Sequence, residues 1–183
     1  MNYDAFSHGQ IKSKLWLCEK LEPNIQPQSN TMILGCWYNI LGFMMLTRNP
    51  YRYRSIVGID TDQEAINIAD KVLDRWIVEN RKVHNMALNA NALDYTDMDT
   101  VINCSSEHME SNDWFDKIPE GTLVCIQSSN VTETGEPWFI KNPSPTLESF
   151  TQKYNLSKTH FADTLRIDYG SWGYDRYMLI GIK

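Results

Sequence analysis

An α/β fold is predicted, with one mostly parallel, doubly wound sheet closed at its C-terminal end by an antiparallel hairpin. Three observations carry this. From residue 32 onward, short apolar runs alternate with segments of helical periodicity. The segment after the second run keeps Ile66, Ala69, Val72, Leu73, Trp76 and Ile77 on one face, as a helix packed on a sheet must. The last two apolar runs are joined by a turn too short for a crossover, so they pair antiparallel. A chain of 183 residues suits one domain over 1–183, with an N-terminal helix and connector in 1–30 and the core in 31–183.

In chain order, residues 9–21 place Ile11, Leu15 and Cys18 at helical spacing. Residues 22–30 hold two prolines and polar turn formers and read as a connector. Met32–Cys36 is the first strand, and Tyr38–Leu46, apolar almost all round, is a buried helix ended by Asn49-Pro50. Ser55–Asp60 is the second strand. Thr61 is placed to cap the next helix, with Glu64 completing a capping box, and that helix runs to Val78. Strands follow at Lys82–Met86, Asp99–Cys104 and Gly121–Gln127, with a helix over 106–117. A long loop, 128–145, precedes a helix at Thr146–Tyr154. Leu156–Ile167 and Tyr177–Ile182 form the closing hairpin around the aromatic turn YGSWGYDR.

Hydrophobic residues at 42% and charged residues at 22% exclude a disordered chain, a collagen-like fibre and a long coiled coil. A net charge of -6 speaks against a broad nucleic-acid face. No apolar run reaches the roughly 18 residues of a membrane span, and the N-terminus lacks a basic-then-apolar signal. A cytoplasmic location with no membrane partner is expected. Cys18, Cys36, Cys104 and Cys125 lie far apart inside apolar stretches, as buried reduced thiols do.

Ligands of open α/β sheets bind beyond the carboxyl ends of the strands. Those ends are polar here: Gly35-Cys36-Trp37, Asp60, Asn89–Ala92, Asn103–His108 and Gln127–Asn130. Gly35 follows an apolar strand and opens a helix, so a ligand can approach its backbone closely. A plain strand-to-helix turn is the other reading. Asp60 ends the second strand, where a carboxylate accepts bonds from both hydroxyls of a ribose.

The order ILGC, VGID, NALD, VINC and closing hairpin resembles the class I, Rossmann-like S-adenosylmethionine-dependent methyltransferases. The resemblance covers Met32 to Lys183 and implies S-adenosylmethionine as cofactor. By that resemblance Gly35 meets the methionine part, Asp60 the ribose and Asn91 the adenine amino group, with the Ala92 N–H offered to the ring. Gly35 is the one glycine kept of the family's GxGxG turn, and Asn91 stands for its usual Asp. Trp37 and Asn103 complete the expected cofactor set, Trp37 as core or cofactor wall. LGCWYNILG, NCSSEHM and the Gln-Ser pair also resemble small methyltransferase-like proteins of tailed-phage genomes.

Catalysis by methyl transfer needs positioning and, for a protonated nucleophile, a base. His108 and Glu107 are the candidates, with Tyr38 facing the open cleft; helix capping and solvation are the competing readings for the NCSSEHM segment. No metal is expected, because Glu107 and His108 are adjacent and no third ligand is evident. Cys104 lacks a partnered base. Gln10, Ser13 and Lys14 share a polar face, expected to be solvated. The loop 128–145, with Trp138, Phe139 and Lys141, is expected to shape substrate choice. The aromatic turn covers the cleft, a homodimer contact or its own domain. The expected activity is methyl transfer to a small-molecule acceptor; the alternative is a non-catalytic binder of the same cofactor. A nicotinamide-dependent reductase is disfavoured by the missing GxGxxG.

Overall fold

The computed structural model describes residues 2–79, 82–133 and 139–183. Its helices are α1 (His8–Leu21), α2 (Ile40–Arg48), α3 (Gln63–Val72), α4 (Asp74–Val78), α5 (Asp113–Asp116) and α6 (Leu147–Thr151). Its strands are β1 (Ser29–Leu34), β2 (Tyr53–Asp60), β3 (Val83–Ala87), β4 (Thr100–Asn103), β5 (Leu123–Ser129), β6 (Lys158–Asp168) and β7 (Gly173–Ile182). They form one sheet in the order β3-β2-β1-β4-β5-β7-β6. Strands β1 to β5 pair in parallel, and β7 runs antiparallel to both β5 and β6. The predicted α/β fold and its closing hairpin are therefore present. The strand order reverses between β1 and β4, which opens a crevice at their carboxyl ends. No helix among the described residues is long and apolar enough to cross a membrane.

Strand alternation divides the core. Ile33, Ile56, Ile102, Cys125, Met178 and Ile180 pack beneath Leu17, Cys18 and Leu21 of α1 and Leu41 and Met45 of α2. Met32, Leu34, Val101, Val124, Ile126 and Leu179 face Trp114, Phe115 and Phe150 on the other side. Ser29, Thr31 and Thr100 are buried at the amino end, where their hydroxyls bond one another at 3.1–3.2 Å. That mutual satisfaction lets β1 begin at Ser29, inside the expected connector.

Several boundaries differ from expectation for local physical reasons. Asp62, not Thr61, caps α3, its Oδ1 accepting from the Glu64 and Ala65 amides. The expected single helix to Val78 breaks at Leu73, whose φ of -107° and ψ of 9° leave the helical region. The expected helix over 106–117 is instead a 3₁₀ turn, Ser106–His108, followed by the single turn of α5. The reason is at Glu107, whose carbonyl accepts the amides of Lys141 and Asn142 at 2.9 and 3.0 Å. An oxygen so engaged does not carry an α-helix onward. The hairpin strand β7 starts at Gly173, so only Tyr169–Trp172 remain as its turn.

Gly58, mid-strand in β2, marks a crossing missed in the sequence. Asn39 Nδ2 donates to Asn85 Oδ1 at 2.7 Å, and Asn85 Nδ2 donates to Asp70 Oδ1 at 2.9 Å. A Cβ on Gly58 would lie 2.4 Å from Asn85 Oδ1 and 2.6 Å from Asn39 Nδ2. Gly58→Ala should therefore cost about 1–3 kcal/mol in denaturant unfolding. Asn85→Ala in the same chain should recover much of that loss; a Gly58→Ala protein as stable as wild type would remove the crossing as the cause.

Candidate functional site

The turn after β1 is wound tightly. Gly35, Trp37 and Asn39 all have positive φ, at 60°, 50° and 49°. A Cβ on Gly35 would meet Ser105 Cβ at 2.6 Å, and Ser105 Oγ donates to the Gly35 carbonyl at 3.2 Å. Glycine is needed here first because Ser105 closes over it. Asn39 caps α2, accepting from the Gly42 amide at 3.1 Å. Trp37 is half-buried and stacks on Tyr38 with ring centroids 4.6 Å apart. Tyr38 is only 6% exposed, its ring among Ala5, Ile40 and Ala65, and its hydroxyl accepts the Asn2 amide at 2.8 Å. The expectation that Tyr38 faces an open cleft is therefore corrected: of the two rings, Trp37 is the more accessible.

Asp60 holds this turn to the end of β2. Its Oδ2 accepts the Trp37 amide at 2.8 Å and its Oδ1 the Asp62 amide at 3.1 Å. Each oxygen keeps a further lone pair, and the residue is half-buried. The Leu88 amide donates to the Asp60 carbonyl at 2.8 Å, which brings the loop after β3 alongside. In that loop, Ala92 gives its amide to the Asn89 carbonyl at 2.9 Å, so the N–H expected to serve a ligand is already used. Asn91 donates through Nδ2 to Ser111 Oγ at 3.4 Å. Its Oδ1 is buried with no partner among the described residues, a cost unless a donor is supplied. Asn103 is fully buried and builds its own turn, Oδ1 accepting the Ser105 amide at 3.0 Å and Nδ2 facing Met109 Sδ at 3.2 Å. It does not open onto a cleft, contrary to expectation.

The ends of β4, β5 and β7 carry a different chemistry. Glu107, 2% exposed, pairs through Oε1 with Arg176 at the start of β7. Arg176 also donates to the Cys104 carbonyl. Glu107 Oε2 and Arg176 Nε are buried without partners among the described residues. Burial pulls the Arg176 guanidinium down, but Glu107, Tyr174 and Cys104 together outweigh it and hold Arg176 above its ordinary pKa. Glu107, the expected base, is thus held through Oε1 in an ion pair, with Oε2 outside it. His108 is half-buried, with Nδ1 3.1 Å from the Phe139 carbonyl. The long loop is fastened at both ends: the Asn130 amide donates to the Asp175 carbonyl at 3.0 Å, and Tyr177 donates its hydroxyl proton to the Pro145 carbonyl at 3.0 Å. Trp138 lies outside the described residues.

Helix α1 roofs this half. Ser13 Oγ donates to Gln127 Oε1 at 3.2 Å, and the Gly9 amide donates to the Tyr169 hydroxyl at 3.0 Å. The aromatic turn thus packs against its own chain, with Tyr169 stacked on Trp172 at 4.4 Å. Lys14 donates to Gln10 Oε1 beside Cys104 and Arg176. The expected solvated face is instead turned inward: Ser13 is buried and Lys14 half-buried. Burial pulls the Lys14 ammonium down to about 8; Cys104 opposes this and Arg176 adds to it. Burial raises the Cys104 thiol, against the pull of Lys14 and Arg176. All four cysteines are free thiols. No group of three or more potential metal ligands exists among the described residues.

No protein-family model matches the sequence, and no curated protein does. Solved structures match in fold. The YcgJ protein from Bacillus subtilis has a TM-score of 0.69 at 12% identity, over 94% of this chain and 98% of that one. The cyclase SpnF gives 0.68 at 12%, over 94% and 80%. Geranyl diphosphate methyltransferase, solved with GPP and sinefungin, gives 0.68 at 11%, over 94% and 78%; it has also been solved with S-adenosylmethionine. This chain has the class I methyltransferase fold.

Two stability measurements test the charged half. Glu107→Gln should cost about 3–5 kcal/mol, because Arg176 is left buried without its anion. A loss below 1 kcal/mol would show the pair to be solvated. Lys14 has a folded pKa of about 8, below its unfolded 10.5, so below pH 8 it opposes folding. Wild-type stability should rise from pH 8 towards 10.5 through this group, and Lys14→Met should raise stability at pH 7 by about 1–3 kcal/mol. Unfolding curves of both proteins at pH 7 and 10 check this; equal gains at both would refute it.

Proposed function

We propose that the protein binds S-adenosylmethionine across the ends of β1, β2 and β3 and transfers its methyl group to a small-molecule acceptor. The observation that carries this is Asn91 Oδ1, a buried acceptor without a partner among the described residues. It lies in the loop that the Leu88 amide ties to Asp60. An adenine amino group would supply the donor that Asn91 lacks, and the open lone pairs of Asp60 suit two ribose hydroxyls. The fold supports the reading, since its solved neighbours include a methyltransferase with S-adenosylmethionine bound. The residues present fit the adenosine half of the cofactor better than the methionine half, where Ser105 closes over Gly35.

When bound, the cofactor supplies a methyl group on a positively charged sulfur. The chain's part is to hold it and to shield it from water. Trp37, whose amide is fixed by Asp60, supplies a half-buried wall, and α1 with the fastened loop 139–145 encloses the acceptor side. Positioning of this kind is enough for an in-line displacement. The modest material around the sheet and the net charge of -6 support a small acceptor over a polymer.

A second reading, a binder without catalysis, is favoured by the engagement of Tyr38 and Glu107 in structural contacts. Product formation from S-adenosylmethionine with an acceptor panel separates the two.

Calorimetry with S-adenosylhomocysteine checks the site. Asp60→Ala should weaken binding by about 100-fold or more, the loss of two charge-assisted bonds, and Asn91→Ala by about tenfold. His108→Ala should leave affinity unchanged. Binding of NAD with no response to S-adenosylhomocysteine would overturn the proposal.

A further inference from the structure

We propose that Asn85, mid-strand in β3, is a positioning residue for the adenosine half of the cofactor. Its bond to Asn39 across Gly58 fixes the spacing of the two walls between which that half binds. This rests on the cofactor reading above. The walls are the turn after β1, with Trp37, and the loop after β3, with Asn91. Strand β2 lies between them, so no main-chain ladder joins one wall to the other. Asp60 makes a first link, its Oδ2 taking the Trp37 amide and its carbonyl the Leu88 amide. Asn39 and Asn85 make a second, two residues earlier on β2.

The register explains how the second link is possible. Gly58 is flanked by Ile33 of β1 and Asn85 of β3. With no side chain at Gly58 in the way, Asn85 Oδ1 takes a proton from Asn39 Nδ2 at 2.7 Å. Asn85 Nδ2 donates to Asp70 Oδ1 on α3 at 2.9 Å, which fixes the direction in which the Asn85 amide faces. Asn39 is fully buried, and capping α2 uses only its oxygen, on the Gly42 amide. The Nδ2 bond adds nothing to that cap; it ties the turn to β3. The turn needs such a tie. Trp37 and Asn39 both hold left-handed backbone, with φ of 50° and 49°, and such backbone persists only where its surroundings hold it.

Asp60 alone could not keep the walls apart at a constant distance. Its carboxylate holds Trp37 and, in the reading above, also receives the ribose hydroxyls, so a turn held there alone would shift as the ligand bound. The Asn39–Asn85 bond holds the turn independently of the ligand. The walls then stand at their bound spacing beforehand, and less ordering opposes binding.

The test is calorimetry with S-adenosylhomocysteine on the full chain, each variant titrated where circular dichroism shows it folded. Asn85→Ala should bind about tenfold more weakly than wild type. Asp70→Ala, at an exposed position, frees the Asn85 amide without opening the core and should bind about threefold more weakly. The exchange Asp70→Asn with Asn85→Asp keeps an acceptor facing Asn39 and a donor–acceptor pair with α3, and should stay within about twofold of wild type. Gly58→Ala with Asn85→Ala should be more stable than Gly58→Ala alone, yet bind no better than Asn85→Ala. Thr100→Val removes a buried hydroxyl bond at the opposite end of the sheet; it should lower stability and leave affinity within about twofold. Affinity that follows stability through the whole set makes Asn85 merely structural and overturns the proposal. Wild-type affinity in Asn85→Ala, or an exchange that binds as weakly as Asn85→Ala, also overturns it. In each of these cases the cofactor reading stands, because the wild type binds. Failure of the wild type to bind S-adenosylhomocysteine sinks both.

Discussion

Glu107 is where the chain's separate parts meet. Its carboxylate pairs with Arg176, fixing the start of β7 against the end of β4. Its carbonyl receives the amides of Lys141 and Asn142, fixing the far end of the long loop. Both contacts are made by a residue 2% exposed, so neither is diluted by solvent. A buried pair of this kind adds little net stability over an apolar replacement, but breaking one side is costly. Its effect is on geometry: the antiparallel hairpin, the loop and the 3₁₀ turn after β4 are held in one arrangement.

That arrangement divides the carboxyl end of the sheet into two chemistries. The β1 to β3 side is neutral-to-acidic and offers acceptors, Asp60 and Asn91 Oδ1, to a ligand rich in hydroxyl and amino donors. The β4, β5 and β7 side holds the buried Glu107–Arg176 pair and is roofed by α1, with Ser13 and Gln127 bonded across the roof. Ser105 stands at the border, its hydroxyl on the Gly35 carbonyl. The switch in strand order between β1 and β4 is what sets the two sides next to each other.

Much of this was legible in the sequence because it is local. Alternation of apolar runs with a one-faced helix marked the layers, and the short C-terminal connection dictated antiparallel pairing. Gly35 and Asp60 could be placed because strand ends are marked by an abrupt change from apolar to polar residues. Capping was half legible: a Thr-Asp pair offers two caps, and backbone geometry at Asp62 decided between them. Gly58 sat in an apolar strand with no signal that Asn39 and Asn85 would meet above it.

What the sequence by itself determined, then, is the layer order, the closing hairpin and which strand ends are polar. These follow from periodicity and connection length, which are properties of neighbouring residues. The tertiary structure decided which polar residues are available for chemistry. Glu107 and Arg176 are 69 positions apart, and nothing near either announces the other. Tyr38 and Trp37 exchange their expected exposure because Asn2, at the distant N-terminus, takes the Tyr38 hydroxyl. Lys14 reads as a surface lysine until α1 is laid over β5 and β7. A side chain's availability depends on partners brought together by the fold, and those contacts are made between residues too far apart in the chain for any local pattern to carry them.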